Sequence, residues 1–215
     1  MFGVGDDVRP ALLQARANGD AMVLATLVSV GGGGPRPEGT QMVFAPGIVT
    51  GYFSGGCVEG DVAGHAWACL EDGEPRTLVY GEGSPWPDIR LLCGARIEIV
   101  VERIAPDDAA LGELLAAWTE RRAVTYVSDG RTRACGPDAA LPGATVVRAY
   151  EPTPRLAIVG GDPTALAIAE LGVKSGFETT LIRPKGPETP PPISGLAYRR
   201  DEPAEALAAA FPGPW

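Results

Sequence analysis

Two prolines within EPTPR (151–155) interrupt an otherwise regular succession of strand and helix patterns, and this break constrains the fold more than any other stretch of the chain. Proline fixes φ and lacks an N–H donor, so neither a sheet nor a helix runs through such a segment, and it reads as a linker. Beyond it, RLAIVGGD begins a strand and a tight turn, residues 164–174 read as a helix, and FETTLIR (177–183) reads as a second strand. Together they make one β-α-β unit. PKGPETPPP is an irregular connection, and ISGLAYRR and EPAEALAAAF supply one more strand and helix. The expectation is an α/β protein of two domains, residues 1–150 and 156–215, joined by 151–155.

The longer segment mixes both periodicities. Residues 6–18 open with Asp6-Asp7, which can cap a helix, and carry Val8, Leu12, Leu13 and Ala15 on one face before Gly19. AMVLATLVSV (21–30) is rich in β-branched residues, and QMVFA (41–45) and IVTGYF (48–53) flank Pro46-Gly47 as a hairpin. From Val58 the pattern turns helical, with Val58, Val62, His65, Ala66 and Cys69 along one stripe and Gly73 as a stop. PRTLVYG (75–81) and RIEIVVERI (96–104) read as strands, Asp107 to Arg121 as a helix, and AVTYVSDG, RTRACG and TVVRAY as further strands turning at Asp129-Gly130.

Charge and cysteine usage narrow the function classes. With 18 Lys and Arg against 27 Asp and Glu, a net charge of -9, the chain lacks the cationic surface that nucleic acid or an anionic membrane requires. No stretch reaches the roughly 18 apolar residues of a membrane span, and MFGVGDDVRP has no basic-then-apolar signal, so the sequence reads as cytoplasmic. Cys57, Cys69, Cys93 and Cys135 form no CxxC pair and have one histidine for company, which points to reduced thiols and to no resident metal.

Two readings stand for Cys57 in YFSGGCVEGDVAGH (52–65). A buried, inert cysteine at a turn is one, because free cysteine is among the most buried residue types. The other is a thiolate polarised by the unpaired amides at the start of the following helix, with Gly55 and Gly56 clearing a ligand's approach and Glu59 and Asp61 opposing the charge. His65 reads as a hydrogen-bonded core histidine and Cys69 as packing, while Cys135, in a polar loop, gives no signal. In GGGGPRPEGTQM (31–42), consecutive glycines can turn amides toward an anion, and Arg36 between two prolines offers a guanidinium to a phosphate or carboxylate.

Taken in order, Gly-Pro-Arg-Pro-x-Gly-x-x-Met (34–42), Ser-Gly-Gly-Cys-Val-Glu (54–59) and Cys-Gly followed by Ile-Glu-Ile-Val-Val-Glu (93–102), with Tyr80 between the last two, resemble the XdhC/CoxI family. These are accessory factors for molybdenum hydroxylases such as xanthine dehydrogenase and carbon monoxide dehydrogenase. The resemblance covers residues 20–103 and continues past the linker, where the family carries a Rossmann-like domain. It implies a mixed α+β domain followed by a truncated Rossmann-like β-α-β domain. It also implies a binding and transfer protein, which holds molybdopterin-type molybdenum cofactor transiently, protects it during sulfuration and hands it to an apo-hydroxylase. Matched position by position, Cys57 faces the cofactor's metal or sulfur, Glu59 neighbours it, Arg36 takes the phosphate, and Gly55, Gly56, Cys93 and Gly94 complete the site. A cysteine desulfurase and a second copy of the chain are further candidate partners.

Two departures from the family pattern stand out: glycines replace a serine before Pro35-Arg36, and Ala95 replaces a glycine after Cys93-Gly94. In the C-terminal domain, a dinucleotide fingerprint would read G-x-G-x-x-G, but Asp162 stands in place of the second glycine and Arg183 where an acidic residue would follow the next strand. NAD(P) binding is therefore not expected. An NADP-linked oxidoreductase using Arg183, and a thiol sulfurtransferase acting through Cys57, are the alternative functions.

Overall fold

The computed structural model describes residues 7–34, 36–84, 91 and 94–210 of the 215-residue chain. They separate into two compact units, one reaching to Pro152 and the other starting at Thr153.

The first unit is built on a five-stranded antiparallel sheet in the order β3-β2-β1-β5-β4, from β1 (Met22–Gly31), β2 (Gln41–Ala45), β3 (Ile48–Gly51), β4 (Arg76–Tyr80) and β5 (Arg96–Ile104). β1 is central and covered on both faces, which explains its unbroken apolar run: Met22 and Leu24 enter one core while Val23, Ala25 and Leu27 enter the other. The helix α2 (Glu59–Asp72) packs on the second face through Val62, Ala66 and Cys69. On the first face lie α1 (Arg9–Asn18), α3 (Ala109–Thr119) and a three-stranded sheet, β7-β6-β8, of β6 (Val124–Ser128), β7 (Arg133–Gly136) and β8 (Val146–Tyr150).

Helix α1 does not begin where its acidic pair predicts. Its N-cap is Val8, with no side-chain cap of its own; the Asp7 carboxylate one residue earlier accepts from the Arg9 guanidinium at 2.8 and 2.9 Å and from the Arg9 backbone N–H at 3.0 Å. The charge-assisted fork fixes the carboxylate where it also meets the first amide of the helix. Cys135, expected in a loop, lies in β7, and burial pushes its thiol up to about 11.

Buried polar groups join the two sheets. Glu102 on β5 accepts from Ser128 Oγ at 2.6 Å, Tyr126 Oη at 3.2 Å and Arg133 Nε at 3.2 Å. Tyr150 on β8 donates to Gln41 at 2.5 Å, and Gln41 donates to Thr26 at 3.1 Å.

The register decides where the loops emerge. Gly31 faces Arg96, Tyr80 faces Ile97, Thr26 faces Gln41 and Met42 faces Gly51. The β1–β2, β3–α2 and β4–β5 connections therefore leave the sheet at the same end, and these are the segments holding the three motifs.

In the second unit, β9 (Arg155–Val159), β10 (Glu178–Ile182) and β11 (Ala197–Arg199) are parallel in the order β11-β10-β9, with α4 (Pro163–Lys174) and α5 (Pro203–Ala210). This is the 3-2-1 order of one half of a doubly wound sheet. Arg155 belongs to β9, as the RLAIVGGD strand pattern predicts, and not to the 151–155 linker. Among the described residues, no helix is long and apolar enough to cross a membrane.

Candidate functional site

The β3–α2 connection is organised around one carboxylate. Glu59, the first residue of α2, turns back over the loop and accepts from the backbone N–H groups of Phe53 (2.8 Å), Ser54 (2.6 Å), Gly55 (3.1 Å), Gly56 (2.8 Å) and Val58 (3.2 Å). The Ser54 hydroxyl donates to it at 2.8 Å and in turn accepts from the Cys57 N–H at 2.9 Å and the Val58 N–H at 3.3 Å. Such convergence of amides is an anion nest, made here by Gly55 at φ 82° and Gly56 at φ 124°. Neither glycine is crowded, since a Cβ at either would meet open space; their conformation is what needs glycine. Burial alone would raise the Glu59 pKa, but the hydrogen bonds from Ser54 and Phe53 prevail and lower it to about 2.

Cys57 occupies the tip of this loop and is exposed, so the buried-cysteine reading fails. The backbone N–H groups of Gly56, Cys57 and Val58, which lead into α2, are taken up by Glu59 and Ser54.

Arg36 lies at the same end. Its guanidinium donates to Tyr52 Oη at 3.2 Å and sits 4.7 Å from the Tyr52 ring centroid, so the β1–β2 loop is pinned to the residue preceding Phe53 and Ser54. The glycine run contacts the third motif: a Cβ on Gly32 would approach the Gly94 carbonyl oxygen to 3.1 Å. Gly94 is exposed, and Cys93 lies outside the described residues. Ala95 is buried among the side chains under α2, and its φ is not positive, so the missing family glycine costs the backbone nothing.

A second polar cluster was not anticipated. Tyr80 Oη donates to Asp61 at 2.6 Å, and His65 Nε2 stands 3.6 Å from the same carboxylate. Burial, and then the hydrogen bond to Asp61, push the Tyr80 hydroxyl well above its ordinary range. His65 is thus a half-exposed partner of Asp61 on the rim of α2, not a core histidine; Val62, Ala66 and Cys69 alone form the buried stripe of the helix. Cys69 is packing, as its spacing predicts, with its thiol raised by burial. A cleft of about 530 Å³ lies elsewhere in this unit, between Thr26–Val28, residues 37–40 and β8, and is lined by none of Cys57, Glu59 or Arg36.

Residues 15–81 match the model of the XdhC and CoxI family, a span that includes Arg36, Gly55, Gly56, Cys57, Glu59 and Tyr80. The chain is also 34% identical over 186 residues to the molybdenum cofactor insertion chaperone PaoD of Escherichia coli (strain K12). Both matches support the XdhC and CoxI family. The alignment takes in 82% of this chain and 58% of PaoD, so the chain spans little more than half of the relative's length. In three dimensions it is similar to a xanthine dehydrogenase of Bacillus halodurans, with a TM-score of 0.74 and 21% identity, over 94% of this chain and 70% of the other. At that identity the likeness speaks for the fold.

In the second unit the glycine turn is closed by its own side chains. The Asp162 carboxylate caps α4 by accepting from the Ala165 N–H at 2.7 Å, and Arg183 Nη2 donates to the Gly161 carbonyl at 2.9 Å. A cleft of about 430 Å³ adjoins them, lined also by Lys185 and Glu202.

Proposed function

We propose that this protein is a cytoplasmic accessory factor that binds the molybdenum cofactor in transit, keeps it while its sulfido ligand is installed, and delivers it to the apo-form of a molybdenum hydroxylase. One observation carries the reading: an exposed thiol, Cys57, stands at the tip of a loop that the chain itself orders, with Arg36 held on Tyr52 at the same end of the sheet. Similarity to a molybdenum cofactor insertion chaperone supports it. The hydroxylase would be the receiving partner and a cysteine desulfurase the source of sulfur.

The donor set suits the group. A thiolate is a soft ligand for a sulfur-bearing metal centre, and a guanidinium offers a planar fork to a phosphate. Cys57 would face the metal or its sulfur, Arg36 would take the phosphate, and Gly55, Gly56 and Gly94 would border the ligand without side chains in its way. Bound there, the cofactor would supply the soft molybdenum centre. Against nucleotide-dependent hydride transfer stand Asp162 and Arg183, both turned onto the glycine turn that a pyrophosphate would need.

The test is to purify the chain from cells that make the cofactor and assay molybdenum, pterin fluorescence and nucleotide. Wild type should carry metal and pterin, and Cys57→Ala should retain roughly tenfold less, by analogy with the loss of metal-site contacts. Absence of both from wild type overturns the reading. Nucleotide in both proteins would favour the oxidoreductase, and a persulfide or sulfenate on Cys57 without pterin would favour the sulfurtransferase.

A further inference from the structure

We infer that Glu59 is not a ligand of the cofactor but the positioning residue of the site, holding Cys57 in its presenting conformation through Ser54. This deepens the proposal that Cys57 meets the cofactor and rests on it for its functional consequence. The geometry runs in one direction. Five backbone N–H groups and the Ser54 hydroxyl end on the Glu59 carboxylate, and the same hydroxyl oxygen receives the Cys57 N–H at 2.9 Å. Glu59 thus orients the serine, and the serine orients the backbone that carries the thiol.

A carboxylate accepts through about four lone-pair sites. With six donors already directed at it, Glu59 has no free lone pair to offer a metal, and the loop has no free amide among these donors to offer a phosphate. The chain supplies the anion of its own nest. The loop is therefore shaped before any ligand arrives, and recognition of the ligand's phosphate falls to Arg36 and not to the glycine turn. Pre-shaping of this kind removes the ordering cost from binding.

Amide hydrogen exchange on the full chain tests the relay. In Glu59→Ala, exchange at residues 53–58 should accelerate about tenfold or more, the equivalent of one charge-assisted hydrogen bond. The rise should include Cys57, whose N–H never touches Glu59. Added formate, a carboxylate small enough to enter the emptied nest, should restore protection across the loop, which a general loss of stability would not allow. Cofactor retention should fall in Glu59→Ala and recover with formate. Unchanged exchange at 53–58, or no recovery with formate, overturns the inference. Should Glu59→Ala not fold, Ser54→Ala serves: Cys57 should lose protection while Gly55 and Gly56 keep theirs, and equal loss at all three overturns the relay. An empty wild-type protein would defeat the cofactor proposal alone, because the exchange result does not depend on a ligand.

Discussion

Two glycine turns in this molecule follow a strand and feed a helix, and in both an acidic side chain accepts from backbone N–H groups near the start of the helix, yet they end differently. At the head of α2, Glu59 gathers five N–H groups and leaves Cys57 exposed at the tip. At the head of α4, Asp162 takes the single N–H of Ala165, and Arg183 lies over Gly161 so closely that a Cβ there would come within 2.9 Å of its Nε. A glycine turn before a helix is therefore not an anion site by virtue of its pattern. What fills the amides, and what stands at the tip, decides whether the turn presents a group or conceals one.

The largest effect should come from titrating the first turn. Glu59 has an ordinary value of 4.5 and is lowered to about 2 in the fold, so the native state binds its proton more weakly than the unfolded chain. Its contribution is then complete above pH 4.5 and is lost as pH falls through 2. At neutral pH, wild type should exceed Glu59→Gln by about 2 kcal/mol, a figure reduced from the full linkage value because the carboxylate is partly exposed. Urea unfolding at successive pH values should show that gap closing on acidification. A constant gap would mean that Glu59 fills space and does not act as an anion.

The glycines sharpen the contrast by different physics. Gly56 sits at φ 124°, where an L residue is strained although nothing crowds it, so Gly56→Ala should cost about 1–3 kcal/mol. Gly161 has no positive φ, and its neighbour is the flexible end of Arg183, so Gly161→Ala should stay within about 0.5 kcal/mol as the guanidinium shifts. Equal losses in thermal unfolding would break the comparison.

Much of the frame was legible because it depends on local pattern. The Pro46-Gly47 hairpin, the stop at Gly73 and the β-α-β unit after the prolines are each written within a few residues. Cys57 became a candidate only in company with the Arg36 and Cys93-Gly94 motifs, and the register explains that company by bringing their connections to one end of the sheet. The role of Glu59 was not legible. The capping-box template pairs residues three apart, whereas Ser54 and Glu59 are five apart and meet only because two left-handed glycines fold the loop back. Nor could spacing tell that His65 falls beside the buried stripe of α2, where Asp61 one turn earlier holds it at the rim. The split into two sheets was equally silent, since pairing β1 with β5, or β6 with β8, joins segments far apart in sequence.

A change smaller than that at Glu59 tests the second turn. Asp162→Ala removes the one side-chain acceptor from the start of α4 and leaves the Ala165 N–H to water. An N-cap of this type is worth about 1 kcal/mol, well below the Glu59 effect because one donor is released instead of five. Arg183 keeps its bond to the Gly161 carbonyl, so the turn should stay closed and hydrogen exchange should quicken only over the first turn of α4. If exchange instead quickened through β9 and β10 as well, Asp162 would be organising its turn as Glu59 does, and the distinction between the two would collapse.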